Sequence, residues 1–219
     1  DYICGNVDRH KGNMIYKTQK NKITILDKSQ FNPKHILECG QIFRYSKNQN
    51  GNYVVFSGNM FAEIVETAQR YQIITKNTEY FVDFFDLKTD YNSIKNQLAV
   101  NLTMQNAICF GGGIRILNQQ PLETIVSFII SANNNIKRII GLNDRLRELC
   151  GDPIPSKDGI TRYAFPTAQR LASLTVEDLA PVRSGFRAKY IIDAAQKVAS
   201  GQVKLEALYD VCTCDAIEE

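Results

Sequence analysis

The strongest constraint on what this chain can fold into is a change of hydrophobic rhythm at Gly111-Gly112-Gly113. Before the triplet, apolar residues recur at every second position in short runs. After it, they recur at helical spacing almost to the end. A period of two puts one face of a strand against a core, and a period near 3.6 does the same for one face of a helix. A chain that keeps the two rhythms in separate stretches is expected to fold as α+β, with sheet and helices segregated. The expected arrangement is an N-terminal antiparallel twisted β-sheet with short helices over residues 1–112, followed by an all-α domain over residues 113–219.

Within the first stretch, Lys22–Leu26, Phe43–Ser46, Tyr53–Ser57, Phe61–Glu66 and Tyr71–Thr75 carry the strand pattern, with Asn50-Gly51 and Gly58-Asn59 as hairpin turns between them. Pro33–Glu38 is expected to be helical, because Asn32 is a good N-cap, Pro33 suits the first turn and Gly40 follows its end. Tyr80–Phe85 and Tyr91–Val100 are further helix candidates. In the second stretch, Leu122–Ile130 is so continuously apolar that burial on most sides is expected. Ile136, Ile139, Ile140, Leu142, Leu146 and Leu149 form an amphipathic stripe ending at Gly151, and Pro153 and Pro155 head a loop. Short helices are expected over Thr167–Leu174 and Thr175–Val182, the second with a Thr175-to-Asp178 capping signature, and a longer one over Arg187–Ser200, closed by Gly201.

Composition excludes several classes. Residues 1–112 hold 13 Lys and Arg against 10 Asp and Glu, and residues 113–219 hold 13 against 13, so no broad basic face emerges from counting. If nucleic acid is the partner, a few placed residues must carry the contact. The longest strongly apolar run, Ile125–Ala132, is far below the roughly 18 to 20 residues that span a bilayer, and no signal peptide opens the chain. No membrane partner is expected. Six cysteines are too sparse for a disulfide scaffold, and only Cys212 and Cys214 lie close together, away from both histidines, so no metal and no cofactor is expected. Free thiols in a reducing intracellular compartment follow, the cytoplasm or nucleoid if the source is bacterial. With only His10 and His35, histidine-based catalysis has little to draw on.

Three segments stand out: Cys39–Arg44, Ser131–Arg138 and Gly185–Tyr190. Each has a plain structural reading. Gly40 suits a helix C-cap, the three asparagines suit an interhelical turn, Phe186 suits a core and Arg187 a solvated surface. Together they carry more. The strings Gly40-Gln41-x-Phe43-Arg44, Gly113-Ile114-Arg115-x-Leu117-x-Gln119, Ser127-Phe128-Ile129 with Asn133-Asn134-Asn135-Ile136, and Gly185-Phe186-Arg187-Ala188-Lys189-Tyr190 resemble 8-oxoguanine DNA glycosylases in order and spacing, from about residue 22 onward.

The resemblance implies base-excision repair of 8-oxoguanine opposite cytosine in damaged double-stranded DNA, with an associated lyase step. It implies that Asn133 fills the space left by the extruded base, that Phe186 wedges beside the orphaned cytosine, that Arg138 and Arg187 read that cytosine, and that the Gly40 carbonyl recognises the lesion. The same family uses a lysine on a loop that runs roughly Leu-Pro-Gly-Val-Gly-x-Lys and a later aspartate, and no such loop occurs in these 219 residues. Lys189 and Lys204 lie outside any glycine hairpin and are assigned no catalytic role. Thr213 suits an N-cap for Cys214–Glu219, with no apolar turn or C-cap after it, so the expectation is a chain cut from a longer one, with the catalytic residues beyond Glu219. The polypeptide as given is expected to be inactive. No obligate protein partner is implied, and apolar surface left open by missing helices is expected to promote self-association. Two other classes remain open: a natural non-catalytic DNA-binding module, and a protein-interaction or thiol-linked domain using Cys212-x-Cys214.

Overall fold

The computed structural model describes residues 15–154 and 161–209. The expected helix start at Thr213 and the Cys212-x-Cys214 pair lie outside them. The described residues form two compact units, one of 15–56 and 60–118, the other of 57–59 with 119–154 and 161–209.

The first unit is built on a six-stranded antiparallel sheet, β1 (Tyr16–Gln19), β2 (Lys22–Ile25), β3 (Tyr45–Lys47), β4 (Tyr53–Ser57), β5 (Met60–Glu66) and β6 (Tyr71–Ile74), in the order β1-β2-β6-β5-β4-β3. Alternation fixes which face is buried. Ile23 of β2 lies opposite Ile73 of β6, and Ile73 lies opposite Ile64 of β5, so three isoleucines line up across the sheet on its inner face. Cross-strand β-branched pairs of this kind hold register, because a slip of one residue would turn all three outward. Helices α1 (Pro33–Leu37) and α2 (Thr78–Phe84) supply Ile36, Leu37, Phe81 and Phe84 to the same core. There Phe31 meets Phe85 edge-on, with ring centroids 5.3 Å apart. Each such side chain contributes about 1.5–3 kcal/mol when fully buried.

Two elements of this unit were not expected. One is β1, which pairs with β2. The other is α4 (Leu102–Gly111), which follows α3 (Tyr91–Leu98). Neither α3 nor α4 has a buried residue, and Leu102 and Phe110 are largely exposed. Residues 99–114 contain no charged side chain, and only Thr103, Gln105 and Asn106 break the apolar run of α4, so its helical period is weakly marked. The first unit continues past the glycines to Asn118 because Gly113–Asn118 is bonded into it. Asn32 donates its N–H to the Gly113 carbonyl at 2.8 Å, and a Cβ on Gly113 would stand 2.6 Å from the Asn32 Cβ. That close approach requires glycine.

The second unit holds α5 (Pro121–Ser131), α6 (Ile136–Cys150), α7 (Ala168–Ala172), α8 (Arg187–Ala199) and a small hairpin of β7 (Pro153–Ile154) and β8 (Arg162–Tyr163). Helix α5 packs on α6 and α8, and α8 packs on α7. The expectation that α5 is buried on most sides is corrected: only Glu123, Val126 and Ile130 are buried, while Phe128 is 77% exposed. These three residues form a single helical stripe, and α6 and α8 cover only that side. Thr175–Val182 is also corrected. The capping pair forms, with Asp178 Oδ2 accepting from the Thr175 N–H at 2.8 Å, but turns and a short 3-10 segment at Ala180–Val182 follow. Pro181 has no N–H to donate to a carbonyl four residues back, so an α-helix cannot run through it. No described helix is long and apolar enough to cross a membrane.

Candidate nucleic-acid interface

In the second unit, two turns carry the residues singled out above. The first joins α5 to α6, and its three asparagines divide the labour. Asn134 donates its side-chain amide to the Ile130 carbonyl at 3.0 Å, which satisfies the last turn of α5. Asn135 is the N-cap of α6, its Oδ1 accepting from the Arg138 N–H at 3.0 Å. These are the capping roles that asparagine performs well. Asn133 is different. Its backbone is left-handed, with φ of +49°, a region that asparagine tolerates better than most residues. Its side chain is exposed and has no hydrogen-bond partner among the described residues. The two flanking caps hold the turn and leave Asn133 projecting from it.

The second turn leads into α8. Arg183 and Gly185 are both left-handed, at φ of +60° and +61°, and Phe186 is the N-cap residue, 60% exposed. An aromatic ring at a helix start with that much exposure is not a core residue. Tyr190, one turn further along α8, meets it edge-on with centroids 6.5 Å apart.

Arg187 connects the two turns. It is only 5% exposed, against the plain reading of a solvated charge. Its Nε and Nη2 donate to the Ala132 carbonyl, Nη2 also donates to the Asn133 carbonyl at 3.2 Å, and Nη1 donates to the Ser184 carbonyl at 3.4 Å. The same guanidinium lies over the Phe186 ring, 4.5 Å from its centroid. Four of five N–H donors are therefore engaged, leaving one Nη1 hydrogen. Asn133, Phe186 and Arg187 are thus brought together. Arg138 lies in the first turn of α6, exposed to solvent.

The charges follow the same plan. Neither α6 nor α8 has an acid in its first turn, and the exposed cations Lys137, Arg138 and Lys189 stand there instead. Cations at the positive end of a helix dipole are unfavourable for the isolated helix by about 0.3–1 kcal/mol each. They suit a surface that receives a polyanion.

Gly40 belongs to the first unit and is described there on its own. It lies past the end of α1, with φ of +92°, where a side chain would be strained. No hydrogen bond reaches its carbonyl among the described residues. Its neighbour Gln41 anchors the loop: Nε2 donates to the carbonyls of Ile36 at 2.8 Å and Arg115 at 2.9 Å, and Oε1 accepts from the Leu117 N–H at 3.0 Å. Arg115 is fully buried and donates to the carbonyls of Gln30, Phe85, Asp86 and Thr89, with the Tyr91 ring 4.1 Å away. Gln41 and Arg115 are the positioning residues missed by reading the sequence. Their signal was present in the Gly-Gln and Gly-Ile-Arg strings, but nothing in a linear sequence joins positions 74 residues apart. Among the described residues no cluster of three His, Cys, Asp or Glu side chains could hold a metal ion.

Both units match known protein families. Residues 23–125 match the family model for the 8-oxoguanine DNA glycosylase N-terminal domain, and residues 126–215 match that for HhH-GPD superfamily base excision DNA repair proteins. The N-glycosylase/DNA lyase of Saccharomyces cerevisiae is 40% identical over 106 residues, covering 48% of this chain and 28% of that protein. A structure of MBOgg1 with a low-affinity DNA ligand superposes with a TM-score of 0.83 at 36% identity, covering 91% of this chain and 70% of that one. The 8-oxoguanine glycosylase/lyase of Clostridium acetobutylicum, solved with double-stranded DNA containing cytosine opposite 8-oxoguanine, gives 0.81 at 32%, covering 90% and 69%. The chain therefore spans about a quarter of the yeast relative and about two thirds of the solved structures.

The helical unit, over residues 126–215, is that of HhH-GPD superfamily base excision DNA repair proteins. Within that superfamily, the chain belongs to the 8-oxoguanine DNA glycosylase family.

Proposed function

We propose that the protein acts in base-excision repair, recognising and excising 8-oxoguanine opposite cytosine in duplex DNA, with a lyase step after excision. These 219 residues supply recognition of the lesion and of the orphaned cytosine. The observation that carries the reading is the Arg187 guanidinium, which joins the Asn133 turn to the Phe186 ring.

Extruding a base costs a few kcal/mol in lost stacking and pairing, and the protein must offset that cost. Asn133 has an unpartnered amide of suitable size on a projecting turn, and it fills the vacated space. Phe186 stacks beside the cytosine left behind. Arg138 and the remaining Nη1 hydrogen of Arg187 donate to the acceptors on the cytosine pairing edge, which favours cytosine opposite the lesion. The Gly40 carbonyl, which no hydrogen bond reaches among the described residues, accepts from the N7–H of 8-oxoguanine and is repelled by the N7 lone pair of guanine. One such contact in a dry pocket separates lesion from normal base by about tenfold to a hundredfold.

Schiff-base chemistry needs an activated amine, and we assign it to no residue of these 219, because none lies on a glycine hairpin. Cys39, Cys109 and Cys150 carry free thiols, which fits a reducing intracellular compartment.

The test is a fluorescence-anisotropy titration of the 219-residue polypeptide with two duplexes that differ only in 8-oxoguanine or guanine opposite cytosine, with borohydride added to a parallel sample. About tenfold tighter binding to the lesion and no trapped adduct are expected. Equal affinities would overturn the recognition reading, and a borohydride-trapped adduct would overturn the assignment of no reactive amine.

A further inference from the structure

The turn that presents Phe186 is also held by an arginine on α6 to which the reading above gives no role. Arg145 is half-buried, and its Nε donates to the Val182 carbonyl at 2.9 Å. Val182 is fully buried and directly precedes left-handed Arg183, buried Ser184 and left-handed Gly185. A non-glycine residue in that region is held there by its surroundings, since the left-handed conformation is disfavoured for a side chain with a Cβ. The bond to the Val182 carbonyl fixes the peptide immediately before the strained residue, and a charged donor makes it one of the stronger hydrogen bonds available. Gly141, one turn earlier on α6, would carry its Cβ 3.5 Å from the Arg145 Nη1, so the guanidinium lies along a bare stretch of the helix.

The arrangement is reciprocal. Arg187 of α8 binds the turn that precedes α6, and Arg145 of α6 binds the turn that precedes α8. Each recognition turn is thus tied to the helix that begins at the other. We propose that Arg145 is a positioning residue, which with Arg187 sets the separation of Asn133 and Phe186 and so the fit of the two wedges in the duplex. The proposal rests on the wedge reading of Phe186. Arg145 touches no DNA in this scheme and acts through the Val182–Gly185 turn.

The test uses the 219-residue polypeptide at saturation with a duplex holding 8-oxoguanine opposite cytosine and 2-aminopurine as the neighbouring base, whose fluorescence rises when it unstacks. Phe186→Ala is expected to remove more than half of the rise, and Arg145→Gln to remove a similar share with less than twofold change in affinity for undamaged duplex. Arg145→Lys, which keeps a charged donor, is expected to recover at least half of what Arg145→Gln loses. Amide exchange in the free protein at Arg183, Arg187 and Ala188, whose N–H groups donate to the Ala180, Ser184 and Gly185 carbonyls of this turn, is expected to quicken about tenfold in Arg145→Gln relative to the α8 interior. A purely global loss of stability would act alike on all of α8. If Phe186→Ala lowers the rise while Arg145→Gln leaves both rise and exchange unchanged, the positioning role is wrong. If Phe186→Ala itself has no effect, the wedge reading fails, and the role of Arg145 with it.

Discussion

Replacing Arg115 with methionine should be among the most damaging single changes in the first unit. The side chain is fully buried, and its guanidinium donates to four backbone carbonyls: Phe85 at 3.1 Å, Gln30 at 3.1 Å, Asp86 at 2.6 Å and Thr89 at 2.9 Å. Methionine keeps most of the stem volume and removes every donor. The Thr89 carbonyl belongs to an exposed residue and keeps the Tyr91 N–H at 3.1 Å, but the Phe85, Gln30 and Asp86 carbonyls lose the Arg115 donor, at about 1–3 kcal/mol each. Removing the charge returns part of the penalty for burying it, which is several kcal/mol for an ion in the interior. Burial also pulls the Arg115 pKa down, the direction expected of a cation that folding desolvates. Three carbonyls at about 2 kcal/mol each, less a return of about 3 kcal/mol, leave a net loss of about 3 kcal/mol, a large share of a typical stability of about 5–15 kcal/mol. The chain has no tryptophan, so urea unfolding is best followed by far-ultraviolet circular dichroism. The midpoint should fall with little change in slope. A loss under about 1 kcal/mol would refute the idea that this guanidinium knits the Gln30, Phe85 and Asp86 segments together.

Three further outcomes follow from the same geometry. Asn133→Gly should keep the left-handed turn and the flanking caps while removing the wedge, so binding to the 8-oxoguanine duplex should weaken about tenfold while the urea midpoint stays within about 0.5 kcal/mol. Arg138→Ala should lower the preference for cytosine over adenine opposite the lesion by about tenfold, while the salt dependence of binding changes by less than one ion; a full unit would mark Arg138 as a phosphate contact instead. Hydrogen bonds from the Ser29 and Gln30 side chains hold the Asp27 carboxyl below its ordinary value of 3.8. A depressed folded pKa means stability that is present above the unfolded value and lost as pH falls through the folded one. Asp27→Asn should therefore flatten the decline in urea midpoint between about pH 5 and pH 2.

The sheet was legible because strand signals survive without knowledge of partners: alternation marks the β2, β5 and β6 segments, and a β-branched and aromatic run marks β4. What could not be read was pairing across distance. The Arg187 contact to the Asn133 carbonyl spans 54 residues and the Arg115 contact to Gln30 spans 85, so the resemblance could mark Arg187 as a reader but neither guanidinium's backbone partners could be read from the sequence. Helix α4 escaped because, with no charge, only Thr103, Gln105 and Asn106 break its apolar run, and Thr175–Val182 misled because the capping Asp178 sits three residues before a proline ring that blocks the helix. The left-handed backbone at Asn133 is likewise a product of its flanking caps, since asparagine alone permits that conformation without requiring it.

The central claim is that an orphaned cytosine is held by Arg138 and Arg187 beside the Phe186 ring while Asn133 occupies the gap. Its most direct test compares dissociation constants of the 219-residue polypeptide for 8-oxoguanine paired with cytosine and with adenine in otherwise identical duplexes. At least about tenfold tighter binding with cytosine is expected, the yield of one well-placed arginine contact to a base edge. Equal affinity for the two duplexes would contradict it.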